Sequence, residues 1–342
     1  MTEVPAGTAV QTSAPAASGR RGRRAVDVPT LVERAREGDP RSVARLISLV
    51  EDASPALREV AAALAPHTGS AQVLGLTGSP GVGKSTTTTA LVRALRQAGK
   101  RVGVLAVDPS SPFSGGALLG DRVRMQDHAG DGGVFIRSMA SRGHLGGLSW
   151  ATPQALRVLD AAGCDVVLIE TVGVGQSELE IASLADTTLV LVAPGMGDGI
   201  QAAKAGILEV ADVFVVNKAD RDGADQTVRD LRYMQSLGGR HDLTGRWRPP
   251  ICRTVAARDI DNGIDDVLAQ VEEHRLWLES TGEGERRRTE RAAREIEAIA
   301  LAALRARIGD LRGGAALDAL AARVVAGETD PYRAADELVA RL

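Results

Sequence analysis

Lysine is almost missing from this chain. Of its 41 basic residues only Lys84, Lys100, Lys204 and Lys218 are lysine; the rest are arginine. The two side chains differ in hydrogen-bond geometry and hydration, so a lysine kept against such a background marks a place that wants a compact ammonium. Cysteine is scarce too. Cys164 and Cys252 are the only two, too few and too far apart for a zinc motif or a disulfide framework. That usage predicts a reduced, cytoplasmic protein. No apolar run approaches the roughly 20 residues of a membrane-spanning helix, so no membrane association is expected. Net charge is small as well, −3 over 342 residues, which argues against a general nucleic-acid binder.

What is present centres on Gly78-Ser79-Pro80-Gly81-Val82-Gly83-Lys84-Ser85-Thr86. This run follows the apolar stretch from Val73 to Thr77 and precedes a helical stretch from Thr87 to Gln97, so it sits at a strand-to-helix turn. Glycines there let successive backbone N–H groups point inward at phosphate oxygens, and the helix start adds its positive dipole end. Lys84 supplies a charge to the β- and γ-phosphates, and the Ser85 hydroxyl is placed to ligate magnesium.

Continuous β-branched runs recur at 102–107, 134–136, 166–169, 189–192 and 213–216, with a last apolar run at 251–253. Runs without alternation are how strands buried on both faces of a parallel sheet read. The expected fold is therefore α/β, a P-loop NTPase with a mostly parallel central sheet flanked by helices. Residues 1–25, rich in Ala, Ser, Pro and Gly, read as a disordered tail. Residues 26–69 read as a helical N-terminal region, with Asp39-Pro40 and Ser54-Pro55 as helix starts. The nucleotide domain is expected over 70–262 and a helical region over 263–342, where Ile296, Leu304, Ile308 and Leu311 lie near one stripe. That stripe either packs on the chain's own sheet or joins two copies.

In a parallel sheet, ligands bind at the carboxyl ends of the strands. Asp108 closes the second strand and can hold magnesium or its waters. Asp121 stands alone and reads as a surface residue. Glu170 ends the strand from Val166 and opens Glu170-Thr171-Val172-Gly173, where an acid can serve magnesium and the Gly173 N–H can meet a γ-phosphate. A glutamine directly after that glycine would orient the attacking water. Here the position holds Val174 and the nearest glutamine is Gln176, so intrinsic hydrolysis is expected to be slow. Asn217-Lys218-Ala219-Asp220 selects the base. Guanine presents N1–H and N2–H₂ on one edge, two donors that the single carboxylate of Asp220 can accept together. Asn217 can reach the other side of the ring, the Lys218 stem can lie over its face, and a backbone N–H near Ala256 can meet the guanine oxygen.

Beyond these motifs, the chain resembles the methylmalonyl-CoA mutase-associated GTPases, the MeaB and ArgK type within the metallochaperone G-protein group. The resemblance runs from about Val26 to the end. It rests on the strings at 107–112, 120–125, 137–147 and 170–178, including Asp108-Pro109-Ser110-Ser111-Pro112 and Gly120-Asp121-Arg122-Val123-Arg124-Met125. It implies a homodimer held by C-terminal helices, binding GTP or GDP with magnesium. The dimer would gate cofactor loading and removal at an adenosylcobalamin-dependent mutase and protect it from inactivation. No cobalamin is implied on the chain itself, and a cobalamin adenosyltransferase is a further implied partner. Matched by motif, Asp108, Asp121 and Glu170 become magnesium-site acids, and Lys204, which alone would read as a solvated helix lysine, falls on a loop that responds to the mutase. Val255 stands where the family usually has Ser. Three other readings compete, of which an ATP-dependent kinase would share the phosphate loop but not the run from Asn217 to Asp220. A nickel-delivering GTPase would carry a His-rich or Cys-x-x-Cys tract, whereas His67, His128, His144, His241 and His274 are scattered. A nucleotide-sensing adaptor would hydrolyse only incidentally.

Overall fold

The apolar runs become the seven strands of one parallel sheet: β1 (Gln72–Thr77), β2 (Val102–Asp108), β3 (Val134–Ala140), β4 (Val166–Thr171), β5 (Thr187–Val192), β6 (Val213–Val216) and β7 (Ile251–Arg253). Their order is β3-β2-β4-β1-β5-β6-β7, and every pairing is parallel. The computed structural model describes residues 26–108, 130–140, 151–171, 177–195, 209–238, 246–308 and 315–340. β1 stands at the centre, between β4 and β5, where the strand order turns from one direction to the other. Such a switch point opens a crevice beyond the strand ends.

The strands are apolar on both faces because both faces are covered. Leu74, Leu76, Val166 and Leu168 point into one core with Leu91 and Leu95 of α4 (Lys84–Gln97) and Val267 and Val271 of α8 (Ile264–Thr281). Val73, Val167 and Ile169 point into the other, with α5 (Thr152–Ala161) and Ile181 of α6 (Ser177–Leu184). The helical N-terminal region joins this second core. Val28 of α1 (Val28–Arg36), Leu46 and Ile47 of α2 (Pro40–Glu51) and Val60 of α3 (Leu57–Leu64) are all buried in it. Arg137 of β3 adds an ion pair to Glu51 and a 3.2 Å hydrogen bond to Ser48.

Asp39 caps α2 as its sequence predicts, accepting from the Arg41 N–H and the Ser42 hydroxyl. Ser54 does not cap α3. That helix begins at Leu57, because the Ser54 hydroxyl accepts the Ala56 N–H and closes a turn ahead of it. A third apolar cluster packs α7 (Ala224–Gly238) on β6 through Phe214, Val228 and Leu231. After α8 come α9 (Glu283–Ile308), α10 (Ala315–Val325) and α11 (Pro331–Val339), the last capped by Asp330. Ile296 and Leu304 of the expected stripe are exposed on α9. Cys164 and Cys252 are buried free thiols, both pushed up to about 11 by burial. Among the described residues no helix is long and apolar enough to cross a membrane.

Candidate nucleotide site

The loop between β1 and α4 is bent where only glycine bends easily. Gly78 and Gly83 have φ of 138° and 99°, conformations that L side chains avoid. They are also the places where other elements come closest. A Cβ on Gly78 would lie 2.2 Å from the Leu191 carbonyl oxygen of β5, and one on Gly83 would lie 2.4 Å from the Asn217 amide. The loop thus owes its shape to the next two strands as much as to its own sequence.

Lys84 opens α4, three residues earlier than the helical stretch read from sequence. Its side chain is buried, and its ammonium curls back over the loop, donating to the Gly78 carbonyl at 2.5 Å and the Ser79 carbonyl at 3.2 Å. One residue on, the Ser85 hydroxyl donates to Glu170 Oε1 at 2.5 Å, while the Thr88 hydroxyl donates to Glu170 Oε2 at 2.8 Å. Glu170 lies inside β4 rather than beyond it and is 2% exposed. Two hydroxyls one helical turn apart thus hold both oxygens of a buried carboxylate at the helix start. Such hard oxygen donors beside the loop suit a magnesium ion. Sequence reasoning missed Thr88. The signal was its spacing of three from Ser85, which puts both hydroxyls on one face of α4.

Asn217 follows β6 and is almost fully buried. Its Nδ2 donates to the Val82 carbonyl of the phosphate loop at 2.9 Å, and its Oδ1 accepts the Ala256 N–H and the Thr254 hydroxyl, each at 3.1 Å. The side chain read from sequence as a base contact is therefore first a tie between two loops. Of the backbone N–H groups near Ala256, from which the sequence predicts a donor to the guanine oxygen, that of Ala256 itself donates to Asn217. Lys218, at a φ of 58°, lays its stem back to the loop and donates to the Gly81 carbonyl at 2.6 Å. Asp220 is exposed, with Arg258 3.8 Å away. Between α4 and the segment after β7 lies a cavity of about 320 Å³, lined by Ser85, Thr86, Thr89, Ala257 and Arg258. Arg93 of α4 and Asp259 close its far side with a 2.6 Å ion pair.

The structure so brings together the loop from Gly78 to Thr86, Glu170, Asn217, Lys218, Asp220 and Ala256. Asp108 closes β2, which lies next to β4. Asp121, Gly173, Gln176 and Lys204 lie outside the described residues.

Comparison with known proteins places this geometry. Residues 43–310 match the family model for methylmalonyl Co-A mutase-associated GTPase MeaB. A Pyrococcus abyssi protein that carries a GTPase name is 45% identical over 91% of this chain and 96% of its own length. The Escherichia coli GTPase ArgK is 38% identical, over 73% of this chain and 77% of that protein. A crystal structure of an LAO/AO transport system kinase superposes with a TM-score of 0.67 at 27% identity, covering 91% of this chain and 96% of the other.

Proposed function

The chain belongs to the methylmalonyl Co-A mutase-associated GTPase family, and on that premise we propose that it is a chaperone of an adenosylcobalamin-dependent acyl-CoA mutase. In this reading GTP binding and hydrolysis gate delivery and removal of the mutase's cofactor and protect the mutase from inactivation. Guanine nucleotide binding and GTPase activity come with the family itself. The mutase, with methylmalonyl-CoA mutase as the first choice, is the finer step.

The observation that supports the site assignment best is the Asn217 bridge. One buried amide fixes the phosphate loop, the Thr254–Ala256 segment and, through the chain, Asp220 in a single frame. Phosphates lie in the loop from Gly78 to Thr86. Lys84, withdrawn from its two loop carbonyls, meets the β- and γ-phosphates. The base lies against the Lys218 stem, and Asp220 accepts from guanine N1 and N2. Because the Ala256 N–H is taken, the guanine oxygen is met by the N–H groups that follow it on the cavity wall.

Ser85 and Glu170 would hold magnesium or its waters, with Asp108 and Asp121 as the further acids of that site. Bound there, magnesium would supply positive charge to the transferring phosphoryl group. The Ser85 hydroxyl, now donating to Glu170, is the group that would face the ion, and the Thr88 hydroxyl holds the carboxylate in place. Gly173 offers its N–H to the γ-phosphate, and Gln176 and Lys204 carry the steps that a partner completes. Val174 after Gly173 leaves the attacking water without a glutamine in the usual place, which keeps hydrolysis slow in the isolated protein. The nucleotide domain spans 70–262, with 263–342 as the dimerisation region. Ile296, Ile299 and Leu304, each more than half exposed on α9, are the surface that pairs two copies.

Asp220→Asn tests the base assignment, since an amide there matches xanthine rather than guanine. The variant should prefer xanthosine triphosphate over GTP. Unchanged guanosine preference overturns it. Lys84→Ala should abolish hydrolysis and weaken nucleotide binding.

A further inference from the structure

A cavity of about 830 Å³, larger than the one at the phosphate loop, opens at the opposite end of the sheet. Its walls come from the first residues of β1 and β4, the end of α4 and the middle of α8. Leu74, Leu95 and Val271 give it an apolar floor. The volume is that of a small-molecule site.

Nearly every charge on its wall already has a partner. Asp160 accepts from the N–H groups of Gly69, Ser70 and Ala71, and Asp165 accepts from the Arg101 N–H. Arg36 pairs with Glu33, and Arg275 pairs with Glu272 and Glu279. Two donors remain. Gln72 Nε2 is buried and has no hydrogen-bond partner, although buried polar atoms almost always have one. Lys100 makes no ion pair among the described residues. Glu272 feels its charge, but that carboxylate is bonded to Arg275. Lys100 is also the one lysine of four that lies outside the nucleotide motifs and the Lys204 loop, in a chain that otherwise uses arginine. A compact ammonium and a carboxamide N–H, set over an apolar floor, lack one thing between them, which is an acceptor carrying negative charge.

We propose that this cavity is a second ligand site, which takes a small organic anion with an apolar body and a carboxylate or phosphate head, bound through Lys100 and Gln72. The head meets the ammonium, the Gln72 carboxamide turns its now covered N–H toward it, and the body covers Leu74, Leu95 and Val271. β1 and β4 run from this site to the phosphate loop and to Glu170, so its occupant sits at the base of the two strands that carry the phosphate chemistry.

The test is calorimetric titration of the full chain, saturated with GDP and magnesium so that the phosphate loop is filled, using decanoate, decyl phosphate and neutral decanol as probes. Both anions should bind more tightly than decanol. A preference between the two anions then tells which head the site takes. Lys100→Glu should weaken the anions by about tenfold or more, as loss of a charge-assisted bond does, and Gln72→Leu by about threefold. Lys100 is exposed, so its replacement leaves the fold intact, and circular dichroism checks this. Anions that bind no better than decanol, affinities that Lys100→Glu leaves unchanged, or no binding at millimolar concentration would each overturn the proposal.

Discussion

Among single residues, burial perturbs His274 strongly. It is fully buried beside Trp247 and Trp277, with Nδ1 2.9 Å from the Thr187 hydroxyl and Nε2 3.3 Å from Asp212. Burial first and the nearby Arg287 second lower it to about 3, against the opposing charge of Asp186. Its stability contribution is whole above the ordinary histidine range and is lost as pH falls from about 6.5 toward 3, because only the unfolded chain takes up the proton. Asp212, raised mainly by burial, pulls the other way and softens the lower part of that window. The urea midpoint of the wild type should therefore drop between pH 7.5 and pH 5. His274→Gln should flatten that slope while costing stability at pH 7.5. A wild-type midpoint as insensitive to pH as the variant's would contradict this. Asn217→Ala leaves the Val82 carbonyl and the Ala256 N–H without partners. It should cost about 1–3 kcal/mol and raise the Kd for GDP.

Between elements, one helix fastens the C-terminal region to the sheet. Along α9, Arg287 meets Asp212 at the start of β6, Arg291 meets Asp186 at the start of β5, and Glu295 takes a two-pronged bond from Arg157 of α5. The two acids also accept strand N–H groups, those of Thr188 and Val73. Without Arg291 the mostly buried Asp186 keeps Arg288, 3.5 Å away, but loses its nearer cation, and the Ala185 carbonyl loses a donor. Arg291→Ala should lower the unfolding free energy by about 1–3 kcal/mol in chemical denaturation, well above an exposed control such as Arg333→Ala. None of this was legible in the sequence, since Arg287, Arg291 and Glu295 read there as ordinary charges in an arginine- and glutamate-rich helix. The strands were legible, because burial on both faces leaves an unbroken β-branched signature. So were the phosphate loop and the residues from Asn217 to Asp220, because each is short, local and tied to a strand end. What stayed hidden depends on partners far along the chain: the Thr88 bond to Glu170, the amide of Asn217 turned to the loops, and α1 to α3 sharing the core of the sheet. Leu46→Ala checks the last of these. If one core spans both parts, it should cost about 2–5 kcal/mol and leave a single unfolding transition.

For the whole molecule, the sheet has two working ends. The strand ends carry the glycine-rich loop with Ser85 and Glu170, and the strand starts carry the ion-paired seat of α9 and the Lys100 cavity. Beyond that seat, Ile296, Ile299 and Leu304 face outward, as do Val325, Tyr332 and Val339 on α10 and α11. On the proposed dimer, Leu304→Asp should halve the mass seen by light scattering, and an unchanged mass would move the interface elsewhere.

The central claim is that GTP hydrolysis serves a mutase. Its most direct measurement is the steady-state GTPase rate of the full chain, alone and with a methylmalonyl-CoA mutase from the same genome. The account predicts slow turnover alone and a clear rise with the mutase, absent in Lys84→Ala. A rate that the mutase leaves unchanged would contradict it.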